Sequence, residues 1–292
     1  MLAADSIPTH PSTPLGLSDI LKSQVWRGLL ADRYYPLLAT MFQPVGGMDV
    51  IAAAFRREVG DLIRFHAKVT AIYQNERGVT VHYTTGADRR EAHADWCVCT
   101  IPLSILRQLD LTVSAPMAAA INAVPYTAAT KIGLQMKRRF WEEDEAIYGG
   151  ITHTDLPIRS IGYPCNGYCK SGKSVLLGAY AAPDTSGFDF GALGPPERIA
   201  KAIEWGAVIH PQYKSEFDNG MAVSWQRNPS TLGCFAHWSD DARRLYYNNL
   251  CGIDGRVVLA GEHASYLSAW QEGAILSALD AVKRLHRRVL AG

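Results

Sequence analysis

The run of residues with the most chemistry in it is Val257-Val-Leu-Ala-Gly261-Glu262-His-Ala-Ser-Tyr-Leu-Ser-Ala269-Trp270-Gln271-Glu-Gly273-Ala274. It reads as a buried strand, a glycine, an acid, a short loop, and then a helix that starts with small residues. A carboxylate just past a strand end can hold the hydroxyls of a sugar or polyol. Free N–H groups at the start of the next helix can face an anionic oxygen. Gly273 and Ala274 leave room for a flat ligand against the backbone. A purely structural reading stands beside this one, because any strand–helix unit can carry a glycine and an acid at its turn.

The elements that must position this run are legible in outline. The first sixteen residues, rich in Pro, Ser and Thr, read as an extended arm, and Ser18 to Thr40 as helical, with Leu21, Val25, Leu29 and Leu30 at helical spacing. A short helix is expected over Val50 to Val59, with Asp49 in its first turn and Gly60 as its stop. Short strands are expected at Leu62 to Phe65, Val69 to Tyr73, Val79 to Tyr83 and Trp96 to Thr100. Turn signals at Asn75–Gly78 and Thr84–Ala87 make them antiparallel ribbons. Pro102 opens another helix. Lys131 to Met136 alternates like a strand, Val175 to Tyr180 reads as a buried strand, and Pro195 to Ile209 as a helix. Arg256 to Ala260 is a last buried strand. A long helix follows from about Gln271 to Arg288, with Ala274, Ala278, Ala281, Val282 and Leu285 on one face.

Composition narrows the function classes. The 292 residues are 48% hydrophobic and 20% charged, enough to bury a sizeable core. Twenty-nine Lys+Arg against 28 Asp+Glu leave a formal charge of +1, so there is no basic field for nucleic acid. The cluster Lys283 to Arg288 falls at a helix end, where it complements the dipole. The longest charge-free stretch, Leu111 to Thr130, is broken by Pro116, Asn122 and Pro125 and fits a packed helix better than a membrane span. No signal-peptide pattern opens the chain. Six cysteines do not make a disulfide scaffold. Cys97 and Cys99 sit in an apolar run, and Cys165 and Cys169 have no second pair for zinc. A cytoplasmic protein with reduced thiols and no metal is the expectation.

The run around Glu262 resembles the C-terminal flavin motif of the FAD-dependent monoamine and L-amino acid oxidases. Five other segments resemble that family in its order. They are Gly46-Gly-Met-Asp49, Val69-Thr-Ala-Ile72, Thr100-Ile-Pro102, Thr130-Lys131-Ile132 with Arg139-Phe-Trp141-Glu, and Gly149 to Pro164. The last resembles the L-amino acid oxidase branch more than the amine oxidases. The resemblance runs from Gly46 to nearly the C-terminus. It implies a mixed α/β (α+β) fold, with an FAD-binding domain of the glutathione-reductase-like type interleaved with a substrate domain of mixed sheet plus helices. The expected boundaries are an N-terminal arm and helical segment at 1–45, FAD-domain parts at 46–124 and 231–292, and a substrate domain at 125–230.

Residue roles implied by the resemblance are as follows. Glu262 binds the ribityl hydroxyls of FAD, the Trp270–Gln271 backbone approaches the flavin's pyrimidine edge, and Val69, Gly261 and Ala274 complete the cofactor contacts. Trp270 and Trp225 wall the substrate cavity, with core packing the alternative for each. Lys131 holds a water near flavin N5, against the alternative of a strand lysine facing solvent. Tyr163 hydrogen-bonds the substrate carboxylate unless Gly162 occupies that slot, and the Ala269 carbonyl accepts from the substrate amino group.

Two departures shape the expectation. The family's FAD domain begins with a strand, a GxGxxG turn and a helix, and no GxG occurs in this sequence. The arginine that clamps the substrate carboxylate is missing with it. A second polypeptide supplying that half, in a higher hetero-oligomer, is therefore expected. Some relatives carry a histidine upstream of the GMD turn, whereas Ala31-Asp32-Arg33-Tyr34 has none. The implied chemistry takes an L-amino acid and dioxygen to a 2-oxo acid, ammonia and hydrogen peroxide. An amino acid 2-monooxygenase, an amine oxidase and a non-catalytic scaffold are the alternatives.

Overall fold

The computed structural model describes residues 16–23, 42–182 and 186–291. The expected extended arm and the segment Ala31–Tyr34 lie outside them. The chain divides into two units, residues 1–65 and 66–292, a division that falls inside the expected 46–124 domain.

The first unit carries helices at Leu17–Ser23 and Asp49–Val59. Gly46 and Gly47 lead into the second helix with φ of 105° and 124°, a left-handed approach that glycine permits. Gly60 is not the helix stop expected of it. Its φ is −58°, so the chain tightens into a 3₁₀ turn over Gly60–Leu62. That turn also replaces the start of the strand expected at Leu62 to Phe65.

The second unit holds three sheets. Strand Lys68–Asn75 is central in the first, between the hairpin strand Gly78–Thr85 and the short parallel strand Asp110–Leu111, and Asp88–Ala94 forms the outer edge. Both expected turns are hairpin turns, with Asn75 opposite Gly78 and Thr85 opposite Asp88. The Asp88–Ala94 strand, DRREAHA, has no apolar alternation to announce it. Its charges suit an exposed edge.

The second sheet is small and partly parallel: Val257–Leu259 lies between Ile253–Asp254 and Cys97–Cys99, with Val258 in register with Val98. One face packs into a core with the first sheet. Cys99, Val257 and Leu259 meet Ile72 and Val79 there, beside Leu103, Met117, Ile121 and Leu250 from three helices. The other face is covered by the terminal helix Gln271–Leu290, whose Ala281 packs on Val258 and Ala260. The buried side of that helix is Gly273, Ser277 and Ala281 with Ala278 and Leu285. Val282, expected on that face, is 54% exposed, because its position turns it roughly a quarter turn away.

The third sheet carries Lys131. Strand Thr130–Met136 lies between Phe217–Ser224 and Ser174–Ala181, and two short strands, Ser160–Gly162 and Ile151–His153, extend it. Its inward residues Ile132, Leu134 and Met136 pack with Phe140, Trp141, Leu176 and Tyr213, all with no exposed surface. Burial alternates residue by residue along Thr130–Met136, as the sequence pattern requires.

Candidate cofactor-binding site

Two parallel strands, Cys97–Cys99 and Val257–Leu259, end at the same level because their registers coincide. Ligands of α/β folds bind outside the carboxyl ends of such strands, and here a cavity of about 320 Å³ opens there. Thr100 and Pro102 follow the first strand into its wall, and Gly261, Glu262 and His263 follow the second. Ala274 and Ala278 come from the terminal helix, and Tyr126, Thr231 and Cys234 close the remaining side.

Glu262 is anchored at both oxygens. Oε1 accepts the N–H of Ala236 at 2.9 Å, and Oε2 accepts that of Ala269 at 3.0 Å. A carboxylate has about four acceptor positions, so both oxygens keep capacity for hydroxyl donors from the cavity. Gly261 makes this placement possible. Its φ is 131°, its N–H donates to Ser277 Oγ at 3.1 Å, and a Cβ there would lie 2.7 Å from the His263 ring. Ala269 sits at φ 70°, which aims its N–H at Glu262 and starts the turn to Trp270. Trp270 is 48% exposed at the head of the terminal helix, and Gln271 beside it is exposed.

Gly273 serves a different purpose from the ligand space read in the sequence. A Cβ at Gly273 would stand 2.0 Å from the Leu267 carbonyl oxygen, so the space is filled by the chain's own loop. Ala274 is the small residue that faces the cavity.

His263 lies beneath Gly261 with 2% of its surface exposed, its Nε2 buried without a hydrogen-bond partner. Burial pulls its pKa down to about 4, so the ring is neutral at physiological pH. Its carbonyl accepts the indole N–H of Trp238, and its Nδ1 lies 3.4 Å from the Tyr126 hydroxyl.

Lys131 is half-buried, with Nζ 4.6 Å above the Tyr180 ring. Its charge and that of Glu262 both act on the Cys234 thiol, the lysine lowering and the glutamate raising a pKa that burial has already pushed up. Lys131 is therefore electrostatically coupled to the cavity lining. Trp225 starts a 3₁₀ turn after strand Phe217–Ser224, with its N–H on the Ala129 carbonyl at 2.9 Å. Its indole N–H is buried and unpartnered, and its carbonyl accepts from Thr231, a cavity residue. Val69 lies at a bulge of strand Lys68–Asn75, beyond the reach of the short parallel strand, which pairs only at Ala71 and Ile72.

Tyr163 is placed elsewhere. Its ring is buried in the third sheet's core, and its hydroxyl is engaged by Thr152 at 2.8 Å and His210 Nε2 at 2.5 Å. The His210 ring is held in turn by Glu145 at 2.8 Å. A hydroxyl so engaged inside a core does not line the cavity around Glu262. The neighbouring Gly162 faces the Leu177 side chain.

Tyr126, Thr231, Cys234 and His263 are cavity residues that sequence reading did not single out. His263 had a signal in its position next to Glu262. Tyr126 and Cys234 are brought together by pairing of two loops, through Tyr126 opposite Ala236 and reciprocal bonds between Thr127 and the 234–235 backbone. No local pattern encodes that pairing.

Among the described residues no group of three or more His, Cys, Asp or Glu is arranged to hold a metal, and no helix is long and apolar enough to cross a membrane. All six cysteines are free thiols.

Similarity to known proteins agrees with this geometry. The chain is 33% identical over 256 residues to YobN of Bacillus subtilis (strain 168), provisionally named an L-amino-acid oxidase, covering 85% of this chain and 53% of that protein. It is 32% identical over 251 residues to the L-amino-acid oxidase of Siganus canaliculatus, covering 84% and 47%. The chain thus spans about half the length of the relatives it matches. Cyclohexylamine oxidase from Brevibacterium oxydans IH-35A has a similar fold, with a TM-score of 0.71 at 16% identity, over 84% of this chain and 53% of that one. A family model described as flavin containing amine oxidoreductase matches residues 21–286, and the chain belongs to that family.

Proposed function

We propose that this chain forms the ribityl- and substrate-facing part of an FAD-dependent L-amino acid oxidase, which converts an L-amino acid and dioxygen to a 2-oxo acid, ammonia and hydrogen peroxide. The observation that carries the reading is Glu262, fixed by two backbone N–H groups at the carboxyl ends of parallel strands with acceptor capacity left for hydroxyls. Likeness to proteins named L-amino-acid oxidases supports the substrate class.

The residues present fit FAD. Glu262 would hold the ribityl hydroxyls, Gly261 and Ala274 would let the cofactor approach the backbone, and Val69 would offer main-chain groups at an open stretch of its strand. FAD, when bound, supplies the two-electron acceptor. The chain's own residues bind and orient. The Ala269 carbonyl takes the substrate amino group, Trp225 and Trp270 wall the cavity against water, and Lys131 holds a water by its ammonium. Orientation in a dry, aromatic cavity is the main contribution expected of such a site.

The reading includes a dinucleotide-binding half contributed from outside these 292 residues, as a second polypeptide. Two features support it. Among the described residues, strand Cys97–Cys99 is paired on one side only, and Val98 is 37% exposed although its register partner Val258 is fully buried. On the terminal helix, Ile275, Leu279 and Val282 form an apolar flank, each more than 40% exposed. Parallel sheets are covered on both faces, and an added strand with its helix would cover both features.

The test is purification with such a half present, followed by a visible spectrum and peroxide assays. Yellow protein that yields peroxide with L-amino acids is the expected result. Peroxide from amines but not amino acids would replace the substrate class. Colourless protein would leave a non-catalytic scaffold.

A further inference from the structure

We propose that Tyr126 is a positioning residue for Glu262, holding the carboxylate in the cavity through its hydroxyl while His263 backs it as a neutral ring. The inference rests on the reading of Glu262 as a cofactor ligand. Tyr126 is half-buried at the cavity wall, and its place is reserved by Gly233, where a Cβ would come within 2.5 Å of the Tyr126 Cβ. The Tyr126 oxygen accepts the N–H of Leu103 at 3.1 Å, so one lone pair is taken. Its single proton then has two neighbours, Glu262 and His263 Nδ1, and the contact to Nδ1 is long at 3.4 Å.

A carboxylate is the stronger acceptor. The Glu262 charge also stands among the causes that raise the Tyr126 pKa, after burial itself. His263 does not compete as a cation, because burial keeps it neutral. Tyr126 thus completes a set of three donors, with Ala236 N–H and Ala269 N–H, that fixes Glu262 in one orientation. It also ties that carboxylate to the backbone that follows Thr100 and Pro102 on the opposite wall. The three donors come from segments far apart in sequence, so the carboxylate is oriented only when the fold is complete.

The experiment is a double-mutant cycle on the flavin-loaded protein with its dinucleotide-binding half, reading the FAD dissociation constant and the flavin absorption band. Tyr126→Phe keeps the ring and should weaken FAD by about tenfold, the loss of one hydrogen bond to a charged group. It should also shift the band. Combined with Glu262→Gln it should add little to that substitution alone, because both act through one carboxylate. Unchanged FAD affinity in Tyr126→Phe, or full additivity in the double variant, would overturn the proposal. If Tyr126→Phe does not fold, a crystal structure of the unsubstituted flavoprotein decides. A Tyr126 oxygen within hydrogen-bond distance of Glu262 supports the proposal, and one beyond 4 Å refutes it. Wild-type protein that binds no FAD would instead remove the reading of Glu262.

Discussion

Replacing Gly273 by alanine separates two accounts of the same glycine by the sign of its effect. Gly273 lies in the first turn of the terminal helix, and alanine is the better helix former by about 1 kcal/mol. If the glycine only leaves room for a ligand, Gly273→Ala should stabilise the flavin-free protein by that amount. The structure gives the opposite result. The new Cβ would sit 2.0 Å from the Leu267 oxygen and 2.8 Å from its carbonyl carbon, both backbone atoms that cannot rotate aside. The loop or the helix must then move by more than 1 Å, and overpacking of this kind costs about 3 kcal/mol. After the propensity gain, a net loss of about 2 kcal/mol remains, or about 4–8 °C in melting temperature for a folded unit of this size. The moving loop carries Ala269, whose N–H holds Glu262, so FAD affinity should fall as well. Urea or thermal unfolding of the flavin-free protein reads the first effect, and flavin titration the second. A flavin-free Gly273→Ala protein as stable as wild type, or more so, would refute the packing account.

Other substitutions test other links. Glu262→Ala should cut FAD retention and leave the Ala236 and Ala269 N–H groups without their acceptor, costing about 1–3 kcal/mol as well; unchanged flavin content after gel filtration would remove Glu262 from the site. Lys131→Met should slow flavin reduction or reoxidation in stopped-flow absorbance while FAD stays bound, and normal rates in both half-reactions would remove Lys131. His263 makes a pH prediction. Its folded pKa of about 4 lies below the ordinary 6.5, so the unfolded state binds the proton more readily and stability is lost as pH falls through that interval. The loss at pH 5 is about 2 kcal/mol, and in His263→Gln the urea midpoint should change less between pH 7 and pH 5 than in wild type.

Much of the framework is local, and so it can be read from the sequence. Alternation at Thr130–Met136, turn residues at Asn75–Gly78, prolines opening Pro195–Ile209, and the strand–glycine–acid run at Val257–Glu262 each fix a backbone conformation from neighbours only. The identity of the Glu262 carboxylate as a candidate ligand is also written there, because a glycine at positive φ followed by an acid is a local pattern. Polar or short edge strands such as Asp88–Ala94 are the exception. They are held by their neighbours in the sheet rather than by their own residues.

What surrounds Glu262 was decided by tertiary structure alone. The pairing of loop 126–127 with loop 234–236 brings Tyr126 and Cys234 to the cavity, and the approach of Leu267 to Gly273 fills a space that the sequence leaves open. Tyr163 is drawn into the core by Thr152 and His210, 11 and 47 residues away. The physical reason is the same in each case. Burial and hydrogen-bond satisfaction depend on which surfaces meet, and residues distant in sequence meet only when the chain packs.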